Sequence, residues 1–387
     1  MRISFLAKFF VCLTLLLPAP VSALELAARA AYVVDFDSGT ELLSKNADTP
    51  LPPASMSKLM TLLMAFEALE DGRLSLDQKL PVSKHAMNYG GSTMFLDTTD
   101  RVRVEDLLRG IVVLSGNDAC AVIAEALSPD GTEAGFARLM TDRAKQIGMS
   151  NSTFANSNGW PAAGHRMSMK DLAILARRLI EKHPQYYPLF AEQEFLFDGR
   201  APANSRNRNP LLALGIGADG LKTGHTSEAG YGLVGSAVQG DRRVIFALSG
   251  MNSTAERATE AEKVVNWSFR QFVVRKVVDA GVVLGQANVW MGSAQTVGMI
   301  ATDNIEVLLP VPLPDSLGAR VEYSGPVQAP VIAGQQLGEL VIPRQGLEDA
   351  RIPLVAQSNV GTAGFLPRLR MSAEVLIRNL SEGTSGN

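Results

Sequence analysis

Residues 57–70 set the strongest constraint on how this chain can fold. Leu59, Met60, Leu62, Leu63, Met64, Phe66 and Leu69 read as helical, yet they cover most of the helix circumference. A helix that is apolar on every side is stable only inside a protein, so other elements must wrap around it. Pro50, Pro52 and Pro53 break the chain just before it. Upstream, Ala30 to Asp37 reads as a strand closed by the turn signal Asp37-Ser38-Gly39. Between Val104 and Leu179 the pattern is mainly helical with polar breaks, one of which carries Ser115-Gly116-Asn117. After Gly215 the character changes. Leu221–Thr226, Tyr231–Gln239 and Arg243–Leu248 read as strands, the last two joined by a tight Gly240-Asp241 hairpin, and a helix follows over roughly Thr254 to Val274. Strand, helices, strands, helix predicts an α+β domain, an antiparallel sheet with helices packed around it.

A chain of 387 residues is too long for one core of ordinary size, so a second unit is expected. It begins near Val278, where valine, glycine and proline take over up to Val360 with short extended runs such as Glu306–Val311 and Gln336–Ile342. That pattern predicts a small all-β accessory domain. The expected organisation is a signal peptide at 1–23, the larger α+β domain at 24–277, the β domain at 278–363 and a tail at 364–387.

The two ends carry targeting signals. Arg2 and Lys8 precede the apolar run Phe9–Leu17, and Val21-Ser22-Ala23 supplies small residues at a cleavage site, which predicts a secreted chain starting near Leu24. The run is shorter than the roughly 20 apolar residues a membrane span needs. At the other end, Phe365, Leu366, Leu369, Ala373, Leu376, Ile377 and Leu380 share one arc of a helical wheel, with Pro367 suited to its first turn. Arg368, Ser372, Glu374, Arg378 and Asn379 lie outside that arc, Arg370 sits near its edge, and Met371 and Val375 are exceptions on the polar side. An amphipathic helix lying on a membrane surface is expected there; the bland alternative is a helix packed on the β domain. Loss of the signal leaves Cys120 as the single cysteine, in the apolar run Ala119–Ala126, so it reads as a buried thiol without a disulfide partner. Lys+Arg 36 against Asp+Glu 39 leaves no basic excess for nucleic acid.

Three short motifs carry the chemistry: Ser55-Met56-Ser57-Lys58, Ser115-Gly116-Asn117 and Lys222-Thr223-Gly224. S-x-x-K, S-x-N and K-T-G in this order mark serine acyl-transferases that react with penicillins. Serine three residues before lysine at a helix start puts both on one face, one turn apart. Lysine on an otherwise apolar helix is desolvated, its pKa falls, and it becomes a base for the Ser55 hydroxyl. The start of a helix also presents backbone N–H groups to an oxyanion. Ser115, on a connection between helices, is placed to relay a proton to a leaving amine, and Asn117 to bind substrate backbone. Lys222 and Thr223 suit a terminal carboxylate, and Gly224 permits close approach of backbone. The bland readings are helix caps for Ser115 and Asn117 and a solvated strand lysine for Lys222. His85, His165, His183 and His225 show no metal-binding spacing, although His225 follows K-T-G and flanks the site. No phosphate loop is present.

Around these motifs the chain resembles the serine-type D-alanyl-D-alanine carboxypeptidases, the low-molecular-mass penicillin-binding proteins. Pro53–Thr61, Val113–Cys120 and Asp219–Thr226, continuing through Ala229-Gly230-Tyr231, are similar to the three motif segments of that family. Asn207–Leu212 is similar to the segment leading into its third motif, which makes Arg208 a second contact for the substrate carboxylate. The resemblance covers nearly the whole mature chain. It implies a β-lactamase/transpeptidase-like domain plus the β accessory domain, and an enzyme that cleaves the D-Ala-D-Ala bond of peptidoglycan pentapeptide stems through an acyl-enzyme on Ser55. It further implies covalent inhibition by β-lactams, no cofactor, a periplasmic location and C-terminal attachment to the inner membrane. A class A β-lactamase shares the motifs but needs a deacylating glutamate; no E-x-x-L-N precedes the third motif, and the β domain has no place in that family. A non-catalytic β-lactam sensor on the same fold is the third reading.

Overall fold

The structure is a computed structural model and describes residues 24–200 and 202–365. The expected signal peptide lies outside the described residues, as does the tail helix beyond Phe365. Among the described residues, no helix is long and apolar enough to cross a membrane.

Five antiparallel strands organise the larger unit: β1 (Ala30–Asp35), β2 (Glu41–Lys45), β3 (Ala218–Thr226), β4 (Gly230–Gln239) and β5 (Arg242–Met251), in the spatial order β2-β1-β5-β4-β3. Residues in a strand alternate between faces. Ala30, Tyr32 and Val34 of β1 join Val234, Ile245 and Ala247 in the core beneath the helical part of the domain. Ala31 and Val33 join Leu233, Val244, Phe246 and Leu248 against the last helix on the opposite face. Both faces are covered, so the central strands are apolar throughout. The Gly240-Asp241 hairpin is present, with Gln239 opposite Arg242.

Wrapped around one face are α1 (Lys58–Glu70), α2 (Asn117–Leu127), α3 (Glu133–Gln146) and α4 (Met169–Lys182). α1 is buried nearly throughout, from Lys58 to Ala68, as its composition requires. Phe66 stacks on Tyr186 with ring centroids 4.9 Å apart and meets Phe190 edge-on. Each such large apolar side chain contributes about 1.5–3 kcal/mol through burial. Side-chain caps fix helix starts: Thr132 accepts from Gly135 N at α3, and Ser168 from Asp171 N at α4.

α5 (Thr254–Arg270) covers the other face of the sheet with Ala261, Val264 and Val265. It stops at Arg270 rather than continuing to Val274. Phe272–Val278 is instead a strand paired with Ile305–Pro310, because its β-branched valines suit a pleated surface better than a helix. Leu308 of this ribbon enters the core under α5, while Ile305, Val307 and Leu309 enter the β domain's own core. The β domain is a six-stranded sheet in the order Arg320–Tyr323, Gln336–Ile342, Ala350–Ala356, Thr296–Ile300, Val283–Trp290, Val327–Gln328.

Two arginines brace this junction, Arg242 from within the larger unit and Arg344 across to it from the β domain. Arg242 pairs with buried Asp35 at 2.6 Å and donates to the carbonyls of Ser268 and Phe272. Arg344 donates to Thr40 Oγ1 beside β2, to the Leu308 carbonyl and to the Glu348 carbonyl.

Candidate active site

Ser55 sits on a short 3₁₀ turn, Ala54–Ser57, that runs straight into α1. Lys58, one turn later, is fully buried. Its Nζ lies 2.8 Å from Ser55 Oγ, 2.7 Å from Asn117 Oδ1 and 2.7 Å from the Asn158 carbonyl oxygen. The amide orientation of Asn117 follows from its other partner: Nδ2 donates to the Gly90 carbonyl, which can only accept, so Oδ1 faces Lys58. Two of the three Lys58 neighbours are therefore pure acceptors and take N–H bonds. The third is a hydroxyl. A neutral amine has two N–H groups and one lone pair, and here the lone pair is left for the Ser55 O–H. Burial brings the Lys58 pKa down to about 8, with nearby Arg208 pushing the same way and the carboxylates of Asp118 and Glu133 opposing.

Two glycines let the chain close on this turn. A Cβ on Gly159 (φ +82°) would lie 1.9 Å from the Ala54 carbonyl oxygen, and one on Gly224 would lie 2.9 Å from the Pro53 carbonyl oxygen. The loop 156–160 and strand β3 thus grip the turn from two sides by backbone contact.

Ser115 follows the wide turn Gly110–Leu114 and precedes α2. It is a non-glycine residue in the left-handed region, φ 62° and ψ 36°, a conformation that costs on the order of 1–3 kcal/mol. Its buried Oγ has no hydrogen-bond partner among the described residues. It is not the N-cap of α2, a position Gly116 holds; it closes the preceding turn as its C-cap. The neighbouring Asp118 carboxylate accepts from Met94 N and Leu96 N and pins the segment opposite.

β3 is an edge strand of the sheet, and Lys222 is buried in it rather than solvated. Lys222 and Gly224 share a strand face, and Gly224 lies against Pro53 and Ala54, so Lys222 is turned toward the Ser55 turn. Its hydrogen bond, to the Thr223 carbonyl, is long at 3.3 Å. Burial, then the nearby charges of Lys58 and Arg208, push its pKa well below the usual lysine value. Thr223 is buried beside it. Arg208 is brought to the same neighbourhood but is occupied, donating to Ser92 Oγ, the Leu114 carbonyl and Asn204 Oδ1. His225 is exposed just past the motif and stacks on Tyr231, centroids 3.9 Å apart.

With this geometry in place, the family comparison decides the kinship. A family model described as D-alanyl-D-alanine carboxypeptidase matches residues 18–253. The chain belongs to the D-alanyl-D-alanine carboxypeptidase family. A second model, the C-terminal domain of penicillin-binding protein 5, matches residues 272–362. Among curated carboxypeptidases of the family, DacC of Escherichia coli K12 is 35% identical over 358 residues, covering 90% of this chain and 88% of that protein. Penicillin-binding protein 5 of Haemophilus influenzae superposes with a TM-score of 0.75 at 32% identity, covering 88% of this chain and 99% of that one. The ampicillin-bound form of penicillin-binding protein D2 from Listeria monocytogenes gives a TM-score of 0.57 at 33% identity over 64% of this chain and 99% of that one.

This family member also carries site residues that no motif announces. Asn158 offers Lys58 a backbone carbonyl, which leaves no trace in side-chain chemistry. His165 Nδ1 accepts from Ala155 N, so Nε2 carries the hydrogen and donates to Ser57 Oγ at 2.7 Å. Burial drives the His165 pKa down to about 4, with the charges of Lys58 and Arg166 adding to it. Arg257 on α5 is buried, donates to the Arg208 carbonyl and lies over the Tyr231 ring. Cys120 is buried as expected, and burial pushes its thiol up to about 12, which leaves it uncharged beside Lys58. A polar cleft of about 440 Å³ between β2 and the β domain, lined by Lys170, Glu41, Arg344 and Asp349, lies apart from this chemistry.

Proposed function

We propose that this protein is a serine-type D-Ala-D-Ala carboxypeptidase acting on peptidoglycan pentapeptide stems, with Ser55 as nucleophile. The observation that carries the reading is the Lys58 amine, buried, lowered to about 8 and aimed at Ser55 Oγ from 2.8 Å. Neutral Lys58 takes the Ser55 proton as Oγ attacks the carbonyl between the two D-alanines. Ser115, whose hydroxyl is uncommitted, relays to the departing D-alanine amine the proton that Lys58 took from Ser55. Lys222 and Thr223 receive the terminal carboxylate, with Arg208 and the charge of Arg257 adding to a cationic pocket. Asn117 serves first as the fixed acceptor that holds Lys58, and its substrate contact is a second role. Water then releases the tetrapeptide. β-Lactams acylate the same serine, in line with the ampicillin-bound relative.

The proposed organisation is a signal peptide at 1–23, a catalytic unit at 24–277, a β domain at 278–363 and a tail at 364–387 that attaches the periplasmic enzyme to the inner membrane. The support is the charge and apolar pattern of the two ends. A pentapeptide stem and a labelled penicillin test the chemistry together. D-alanine release and a mass-spectrometric adduct on Ser55 are expected; an adduct on Ser57 or Ser115 refutes the nucleophile assignment. Fractionation of the full chain against one stopped after Gly364 tests the tail: equal solubility, with no binding to anionic vesicles by either, refutes it.

A further inference from the structure

We infer that Glu133 is a positioning residue for the reaction, holding the loop whose backbone carbonyl orients Lys58. The inference rests on the roles proposed for Ser55 and Lys58. Glu133 is the first residue of α3, where the helix dipole favours a carboxylate, and it is buried. Its Oε1 accepts from both the backbone N–H and the hydroxyl of Ser157, and at 3.4 Å from Asn158 Nδ2. Its Oε2 accepts from Tyr89 OH at 2.6 Å and from His85 Nε2 at 2.7 Å. Both oxygens are saturated by protein groups, so the carboxylate is not a base waiting for water.

The bonds on its loop side converge on α1. The Ser157 carbonyl accepts from Thr61 Oγ1, and the next carbonyl, of Asn158, accepts from Lys58 Nζ. Thr61 and Lys58 are three residues apart on one helix face. Ser157 is therefore held through its N–H and hydroxyl by Glu133 and through its carbonyl by α1. The Asn158 carbonyl has little freedom to turn away from the amine. Asn156 Oδ1, accepting from Gly159 N, closes the same loop. If Glu133 lets go, one of the two acceptors that consume the Lys58 N–H bonds is no longer fixed, and the lone pair loses its aim at Ser55.

The charge acts as well as the contact. Glu133 is among the anions that oppose the lowering of the Lys58 pKa. Burial works against its own charge, yet the bonds from Ser157, Tyr89 and His85 outweigh that and keep it below the ordinary carboxylate range. The titratable groups around it are His85 and Tyr89 on one side, Cys120 on α2, Lys58 on α1 and His165 beyond the loop. Of these, Tyr89, Cys120 and His165 are uncharged near neutral pH.

The test is Glu133→Gln in the full chain, with acylation by a fluorescent penicillin followed against pH. The limiting acylation rate should fall by roughly ten- to a hundred-fold. The acid limb of the profile should move to lower pH, because an anion that favours protonated Lys58 is gone. Glu133→Asp should recover part of the rate. A folded Glu133→Gln protein with the parental plateau and an unmoved limb overturns the inference; so does a loss confined to weaker non-covalent binding. Should that variant not fold, Ser157→Ala removes one bond alone and must also slow acylation; a folded Ser157→Ala protein with the parental rate overturns the inference equally. The unsubstituted protein separates the two levels. Failure of Ser55 to label sinks the proposed function, whereas normal Ser55 labelling with an indifferent Glu133→Gln sinks only the role of Glu133.

Discussion

Acylation of Ser55 should follow the neutral fraction of Lys58, and the structure sets how steeply. An unperturbed lysine at 10.5 is neutral to only about 0.03% at pH 7; lowered to about 8, it is neutral to about 9%, a gain of roughly 300-fold in competent enzyme. The pH dependence follows directly. The second-order acylation constant should rise about 50-fold from about pH 6 to pH 8, then only about twofold more toward pH 9.5. Stopped-flow mixing with a fluorescent penicillin measures it, with far-UV circular dichroism at each pH to confirm folding. Lys58→Arg supplies the matched control. Its guanidinium can still donate to Asn117 and Asn158 but does not give up a proton at working pH, so acylation should nearly vanish. A profile that changes less than about fivefold between pH 6 and 8, or one that keeps climbing tenfold per unit beyond pH 9, refutes the burial argument. Near-normal acylation by folded Lys58→Arg refutes the base assignment itself.

Three further outcomes are expected. Gly159→Ala forces a Cβ to within 1.9 Å of the Ala54 carbonyl at a left-handed φ; it should slow acylation more than about 100-fold while circular dichroism stays native, and a parental rate would show that the contact yields harmlessly. Lys222→Ala should damage hydrolysis of free-acid peptides more than of the corresponding amides, read as the ratio of kcat/KM values; equal loss on both points away from carboxylate binding. His165 has its folded pKa depressed from 6.5 to about 4, so its contribution to stability is fully present above about pH 6.5 and is lost as pH falls through about 4. Urea denaturation should therefore show about 3 kcal/mol more loss across that window in the parent than in His165→Gln, and equal losses would refute the linkage.

What could be read in the sequence was the chemistry written over short distances. Ser55 and Lys58 meet because their spacing is one helical turn, and the burial of α1 follows from its composition alone. The three strands after Gly215 were legible from β-branched runs and the Gly240-Asp241 turn, each to within a few residues. β2 was not, because Glu41–Lys45 contributes a single buried residue, Leu42, and shows no alternation to detect. The end of α5 was misplaced because Val273 and Val274 continue an apolar pattern that fits either a helix or a strand, and only pairing with Ile305–Pro310 decides. Glu133, His165 and the Asn158 carbonyl stayed hidden for a different reason. Their partners are far away in the chain, His165 and Ser57 by 108 positions, and a polar side chain that finds its partner by packing looks like any surface residue beforehand. Arg208 came only from the resemblance, because its three acceptors, Ser92 Oγ, the Leu114 carbonyl and Asn204 Oδ1, form no spacing that the sequence could display.

The two margins of the five-stranded sheet have opposite fates, and this bears on the chain's exposure to aggregation while it folds. An uncovered strand margin is a template on which another chain can add, the usual route to β-aggregation. The β2 margin is flanked by the β domain, through Arg344 at Thr40 and Leu347 packed into the core beside Leu42. The β3 margin pairs with no further strand, as the proposed roles of Lys222 and Thr223 in substrate binding require. It carries its own defence: a register irregularity between Ala218 and Gly220, and glycines at 220 and 224 that weaken a flat hydrophobic ladder. Removing the β domain would expose the first margin as well. A truncated catalytic unit is thus expected to lose solubility before it loses its reactive serine.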